Sequence, residues 1–375
     1  MRFHVLGVPH TISSIEFNAC AFTQKVVKFC KMMSGRGHHI IHYGHKDSDV
    51  VCDEHVSVVT NEDWKIAYGD YDWRKSFFKY NMQDHCYKTF YANAIAEILK
   101  RKQKYDFILP FWGAGVRPIC DAIEAVDKNI IVVEPGIGYG GGYWARWKIF
   151  ESYALLHAFW GINKVQYCNP NWYETVIPNY FDINDFEYCD EKKDYFLFLG
   201  RVFEGKGVHI AAEAARLTGV RLVVAGQKED SYKLPGHVDF LGYADIEKRK
   251  QLMKYAKASF LPSTYVEPFA GVQIENMLSG TPTITTDWGV FAENNIHGVT
   301  GYRCRTMSDF VKAIQNIDKI KPINCRTWGE NFTFEKVAPM YEKFFDEVLS
   351  VYKGKGWYEM NNHSIDTITR TLPCN

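Results

Sequence analysis

Residues 194–226 read DYFLFLGRVFEGKGVHIAAEAARLTGVRLVVAG, and this stretch decides the fold. An apolar run ends at Leu199, a loop carries Gly200, Arg201, Lys206 and Gly207, an amphipathic stretch follows, and a second apolar run spans 221–225. That order is strand, glycine loop, helix, strand, the repeating unit of an α/β sheet. Glycines at 200, 205 and 207 permit a tight turn. Arg201 and Lys206 put two cations at the carboxyl end of a strand. There the helix dipole adds roughly half a positive charge, which suits a diphosphate. A basic loop after a strand is also ordinary surface chemistry.

Moving outward along the chain, residues 258–262 form another short apolar run closed by Pro262 and read as a buried parallel strand. The continuation, PSTYVEPFAGVQIENMLSGTPTITTD at 262–287, holds Glu267 and Glu275 eight residues apart. Pro268 is expected at the first position of a helix that Gly280 stops. With Glu267 before the helix and Glu275 two turns inside it, a rise of about 1.5 Å per residue separates the carboxylates by roughly 12 Å. A glycosidase pair needs about 5 Å or, for inversion, less than about 10 Å. The spacing instead suits two contacts on one long ligand, a sugar's hydroxyls at one end and a ribose's at the other. Ala270 and Gly271 between them let backbone N–H groups approach oxygen atoms closely. A solvated helix after a strand fits the same residues.

Together the two clusters resemble the donor half of the retaining GT-B glycosyltransferases, the large fourth family of hexose transferases. The resemblance rests on Gly200, Arg201, Lys206 and Gly207, then Glu267, Pro268, Phe269, Gly271 and Glu275, then Gly280, Thr281, Pro282 and Asp287. The linker-like VIPN at 176–179 and HVDFLG at 237–242 add to it, and it covers 176–345. It implies two Rossmann-like, doubly wound parallel-sheet domains facing across a cleft. It also implies that Arg201 and Lys206 hold the donor's diphosphate, that Glu275 holds the ribose, and that Glu267 with Phe269, Ala270 and Gly271 addresses the transferred sugar. Ala270 departs from the family's usual glycine, a small change unless the position needs a positive φ. The implied reaction moves a hexose, glucose or mannose, from a UDP- or GDP-sugar to a hydroxyl of a glycan, glycoconjugate or small molecule. Configuration is retained, and neither metal nor other cofactor is required.

The first half carries fewer motifs. Residues 2–7 read as a strand, 21–33 as an amphipathic helix and 39–43 as the next strand, so this half is also α/β. The family's glycine-rich loop after the first strand is replaced by HTISSIEFNA at 10–19, which leaves Ser13, Ser14 or Asn18 as contacts. Residues 129–134 read as a buried strand ending in Glu134, a candidate for the catalytic polar group at the sugar and equally a structural cap. Gly136, Tyr139 and the aromatics up to Trp147 suggest an acceptor-side lid, or simply core, and 147–160 reads as a helix. His4, His10, His38, His39 and His42 read as core or surface residues rather than catalysts. Asp70-Tyr71-Asp72 matches the metal-holding triplet of a different transferase fold but follows no clear strand.

A chain of 375 residues fits two domains of about 170 each. The expected boundaries are 1–170 for the acceptor domain, 171–189 for a linker and 190–340 for the donor domain. Phe334 to Tyr352 reads as a long amphipathic helix, and the stretch 341–375, helix end and polar tail, is expected to cross back to the first domain. Forty-four basic and 44 acidic residues give no net charge, which argues against a nucleic-acid partner. Ten cysteines without a C-x-x-C pair suggest neither a zinc site nor a disulfide framework and fit a reducing cytosol. The opening strand is unlike a signal peptide and no run of eighteen apolar residues occurs, so a cytoplasmic protein with at most peripheral membrane contact is expected. Two other functions fit these features: a nucleotide-sugar-binding protein without turnover, and a dinucleotide-dependent oxidoreductase. The second would rest on Gly136, Gly138 and Gly141, which spell G-x-G-x-x-G.

Overall fold

The computed structural model of the chain describes residues 1–70, 72–74, 78–162 and 173–354. Strands β1 Arg2–Leu6, β2 His39–His45, β3 Glu54–Val59, β4 Phe107–Pro110, β5 Ile131–Ile137, β6 Trp147–Phe150 and β7 Glu174–Val176 form one sheet. Strands β8 Phe196–Leu199, β9 Leu222–Ala225, β10 Val238–Phe240, β11 Ala258–Leu261, β12 Thr283–Thr286 and β13 Gly301–Cys304 form a second. Every pairing between these strands is parallel. The central strands are buried on both faces, which is why they read as unbroken apolar runs such as FLFL and LVVA.

Strand order decides where a ligand can sit. The first sheet runs β3-β2-β1-β4-β5-β6-β7 and the second β10-β9-β8-β11-β12-β13. Both are doubly wound, and the order reverses between β1 and β4 and again between β8 and β11. Loops leaving the carboxyl ends of such a pair diverge to opposite faces and open a crevice. The loops after β8 and β11 carry the two motifs read from the sequence.

Three expectations are corrected. Residues 147–160 are not one helix: β6 ends at Phe150 and helix Tyr153–Ile162 begins after Glu151 and Ser152. The expected linker contains β7, which belongs to the first sheet. The domain crossing is therefore shorter and ends at Phe181, whose N–H donates to the Phe332 carbonyl at 2.9 Å. The return crossing lies beside it, with the Phe334 N–H donating to the Phe181 carbonyl at 2.9 Å. The helix runs Phe334–Tyr352 as its amphipathic pattern indicates, and the return begins at its first turn rather than at residue 341. Its Val337, Tyr341, Phe344 and Phe345 share a core with Phe3, Phe29 and Phe107 of the first domain. The described part of the expected tail ends with this helix and two further residues. Residues 169–172, Tyr71 and the polar segment from 361 lie outside the described residues.

Candidate active site

A cleft of about 630 Å³ lies between the two crevices, within the ordinary range of small-molecule sites. From the second domain Gly200, Arg201, Lys206, Glu267, Phe269, Ala270, Gly271 and Glu275 all line it. Their proximity follows from the strand order, because β8 and β11 are neighbours across the reversal. Gly207 closes the first loop at φ +70°, and a Cβ there would stand 2.0 Å from the Pro262 carbonyl oxygen. That position therefore accepts only glycine, and the basic loop lies flat against the end of β11.

The second loop differs from expectation. Pro268 does not open the helix, which runs Gly271–Leu278 with Ala270 as its N-cap at φ 58°, ψ 61°. Ala270 is thus a left-handed residue with a side chain, in a region that costs an L-residue roughly 1–2 kcal/mol. The turn leads into Gly271 and Val272, which line the cleft, and the preceding Phe269 is buried. At the far end Gly280 and Thr281 donate to the Met277 and Asn276 carbonyls at 2.9 and 2.8 Å, and the helix stops as the glycine foretold.

Both glutamates hold cations. Glu267 is buried and forms an ion pair with Lys206, and it accepts the Ser263 hydroxyl at 2.6 Å. Burial pushes its carboxyl up, but the Lys206 ammonium, Ser263 and Tyr265 outweigh burial and hold it below the usual range. Glu275 accepts from Arg249 at 2.6 Å. Arg201 lies with its guanidinium 5.5 Å from the centre of the Phe203 ring.

The first domain supplies groups that the sequence did not single out. Lys25 and Lys28 reach the cleft from helix Ala21–Ser34. Lys25 is buried, donates to the Gly136 carbonyl at 2.8 Å and pairs with Glu151. Burial pushes the Glu151 carboxyl up and Lys25 and Asn179 oppose it, while the Glu267 charge adds to the rise. Lys28 sits 4.1 Å over the Phe181 ring, and burial lowers its ammonium against the attraction of Glu275 and Asp185. Lys25, Lys28, Arg201, Lys206 and Arg249 face Glu151, Glu267 and Glu275, so the cleft carries two more cations than carboxylates. A dianionic group would balance that excess.

Glu134 does not line the cleft. It is fully buried, accepts the Tyr139 hydroxyl and the Trp144 and Ala145 amides at 3.2 and 3.3 Å, and ties down the loop after β5. Gly136 lends only its carbonyl, to Lys25, and Tyr139 stacks on Tyr143 behind the cleft wall. Neither lines the cleft. In their place Gly138, Glu151 and Asn179 line the cavity. No helix follows Gly136, Gly138 and Gly141, since the chain passes to β6, so the dinucleotide fingerprint lacks its phosphate-binding helix. Asp70 and Asp72 border a separate surface hollow with Asn61 and Trp64, and no group of three metal-ligating side chains occurs among the described residues. Asn18 lines the cleft and accepts the Tyr243 hydroxyl from the opposite domain at 3.0 Å. Ser13 is buried and meets His42 at 3.1 Å, away from the cleft lining. Of the five histidines considered, His10 alone lines the cavity.

Residues 182–332 match the family model described as "Glycosyl transferases group 1". Among curated proteins, glycogen synthase of Mycobacterium tuberculosis is 29% identical over 194 residues, 46% of this chain and 47% of that protein. A glycosyltransferase of Bacillus subtilis, itself of tentative assignment, is 30% identical over 44% of this chain and 48% of its own length. The chain spans about half the length of the curated relatives it matches. Among solved structures, sucrose-phosphate synthase from Thermosynechococcus elongatus superposes with a TM-score of 0.67 at 16% identity, covering 93% of this chain and 99% of that one. Anabaena HepE in complex with UDP-glucose gives 0.66 at 16% identity, covering 94% and 100%. The two facing parallel-sheet domains are a GT-B fold.

Proposed function

We propose that the chain, whose residues 182–332 match the group 1 glycosyl transferase model, transfers a hexose from a nucleoside diphosphate sugar to an acceptor hydroxyl with retention of configuration. UDP-glucose is the first donor to test, since HepE, of the same fold, was solved with that molecule. A GDP-sugar such as GDP-mannose is the second. The observation that carries the reading is the excess of two cations in a cleft fed by both switch-point crevices. A nucleotide sugar brings two negative charges on its diphosphate.

Arg201 and Lys206 neutralise the departing diphosphate together with the helix N-terminus after Ala270, a form of preorganised electrostatic stabilisation that requires no protein nucleophile. Glu275, steadied by Arg249, takes the ribose hydroxyls, and Glu267 takes those of the sugar. Lys206 neutralises Glu267. Donor entry exchanges that pair for two new ones, ammonium to phosphate and carboxylate to hydroxyl. Glu151 and Lys25 present the first domain's charge to the same space. The acceptor is a hydroxyl of a glycan, glycoconjugate or small molecule, and the reaction proceeds in the cytoplasm, at a membrane surface where the acceptor is lipid-borne. No described helix is long and apolar enough to cross a membrane.

Release of nucleoside diphosphate from a panel of UDP- and GDP-sugars, with and without acceptors, tests the proposal. Turnover with one donor is expected. Tight donor binding with no release across the panel would favour a binding protein instead.

A further inference from the structure

The first sheet's crevice holds a feature that donor chemistry does not use. His10 follows β1 and Trp112 follows β4, so the strand reversal brings them together in the cleft, beside Phe22 and Tyr80. Trp112 stands edge-on to Phe22, His10 and Tyr80 with ring centres 4.9, 5.1 and 5.5 Å away, and Tyr80 stacks on His10 at 4.6 Å. The indole is fixed from behind: a Cβ on Gly115 would lie 2.1 Å from its Cδ1. Tyr80 is 52% exposed, an aromatic face left open to the cleft.

A hydrogen-bond chain sets the proton on His10. Trp112 Nε1 donates to the Tyr87 hydroxyl at 2.8 Å, and that hydroxyl meets His10 Nδ1 at 2.8 Å. An indole N–H only donates, so the Tyr87 oxygen accepts it and passes its own proton toward His10 Nδ1. His10 Nδ1 is then the acceptor and Nε2 carries the hydrogen. Burial pushes the imidazole down to about 3, so it stays neutral. The hydrogen bond within the domain is thus made at Nδ1, and the ring lines the cleft.

We propose that His10, Phe22, Tyr80 and Trp112 form an acceptor subsite for a neutral sugar ring, with the ring's C–H face on the aromatic wall and a hydroxyl on the His10 Nε2–H. Flat apolar faces with one uncharged donor match a pyranose. An alkyl chain would leave that donor unpaired, and Lys25, the cation over the Phe22 ring, is already paired with Glu151. The inference rests on the transferase reading and makes the acceptor a glycan or glycoside.

Saturation-transfer difference NMR of methyl glucosides, cellobiose and maltose, with and without UDP, tests the subsite. Acceptor kinetics with UDP-glucose accompany it. In wild type the ring C–H protons of one sugar should saturate. Tyr80→Ala should abolish that signal and raise the acceptor KM about tenfold, a larger change than in UDP affinity. Tyr80→Phe should restore both, and His10→Phe should keep the stacking but lose acceptor affinity. Saturation of no sugar, or identical signals in Tyr80→Ala, overturns the subsite, as does faster transfer to an alkanol or a serine peptide than to any sugar. Failure of wild type to bind UDP or GDP would instead overturn the donor reading, while the sugar signal without nucleotide still reports on the aromatic wall.

Discussion

Replacing Lys206 with methionine separates the charge of this side chain from its bulk. Glu267 is 5% exposed, and Lys206 is the cation paired with it. Breaking a fully buried pair costs about 3–5 kcal/mol. The Lys206 side chain is 24% exposed and the Ser263 hydroxyl remains on the carboxylate, so the expected loss of stability at pH 7.5 is about 1–3 kcal/mol. The pH dependence carries the sharper test. In wild type the folded pKa of Glu267 lies below its ordinary value, so the carboxylate's stabilising contribution is complete above pH 4.5 and disappears as pH falls through the folded pKa. In Lys206→Met burial acts without the ammonium and the folded pKa moves above 4.5. Ionisation then opposes folding, and the variant recovers stability relative to wild type on acidification from pH 7.5 to 5. Urea unfolding at both pH values measures this. UDP titration calorimetry should show affinity about 10- to 150-fold weaker, the loss of one charge-assisted hydrogen bond of about 1.5–3 kcal/mol. A deficit independent of pH together with unchanged UDP affinity would refute both the pairing and the phosphate role.

Ala270→Gly removes the left-handed strain at the helix N-cap and gives back part of the gain as chain entropy; a net stabilisation of about 0.5–1 kcal/mol should raise Tm by about 1–4 °C in scanning calorimetry, and a lower Tm would contradict the positive φ. Glu275→Ala should weaken donor binding about tenfold or more with little change in kcat, and Glu267→Ala should do the reverse; equal donor affinities in wild type and both variants would sink that division of roles. Glu134→Gln keeps the acceptor for Tyr139 and the loop amides but removes the charge, so a lower Tm with kcat/KM for the donor within about twofold is expected; a collapse of kcat at unchanged Tm would return Glu134 to the reaction.

The fold was legible because its strands are parallel and buried on both faces, leaving short apolar runs separated by loops at regular intervals. The misreading at 147–160 has the same origin. In WKIFESYALLHAFW a strand and a helix adjoin with only Glu151 and Ser152 between them, and an apolar run carries no periodicity to separate the two. The interruption was itself the signal, since a lone carboxylate inside such a run is costly to bury without a partner. That carboxylate is Glu151, which enters the cleft on Lys25.

The second domain's side of the cleft was legible for a different reason: its residues sit in two loops, 200–207 and 262–275, whose strands are immediate neighbours across the reversal. Local motifs therefore already contain the geometry. The first domain distributes its contribution over His10, Lys25, Trp112 and Glu151, which the sheet order alone brings together. Lys25 and Lys28 read as the polar stripe of an amphipathic helix, and Arg249 is indistinguishable by sequence from Lys248 and Lys250 on the same helix. Ala270 was hidden in another way. Its left-handed turn is one that glycine usually marks, and here an ordinary side chain bears the strain. The second loop depends on that turn, because Phe269 is buried in the core while Gly271 and Val272 line the cleft. A chain reversal of that kind within one residue has few solutions, and a left-handed N-cap is one of them.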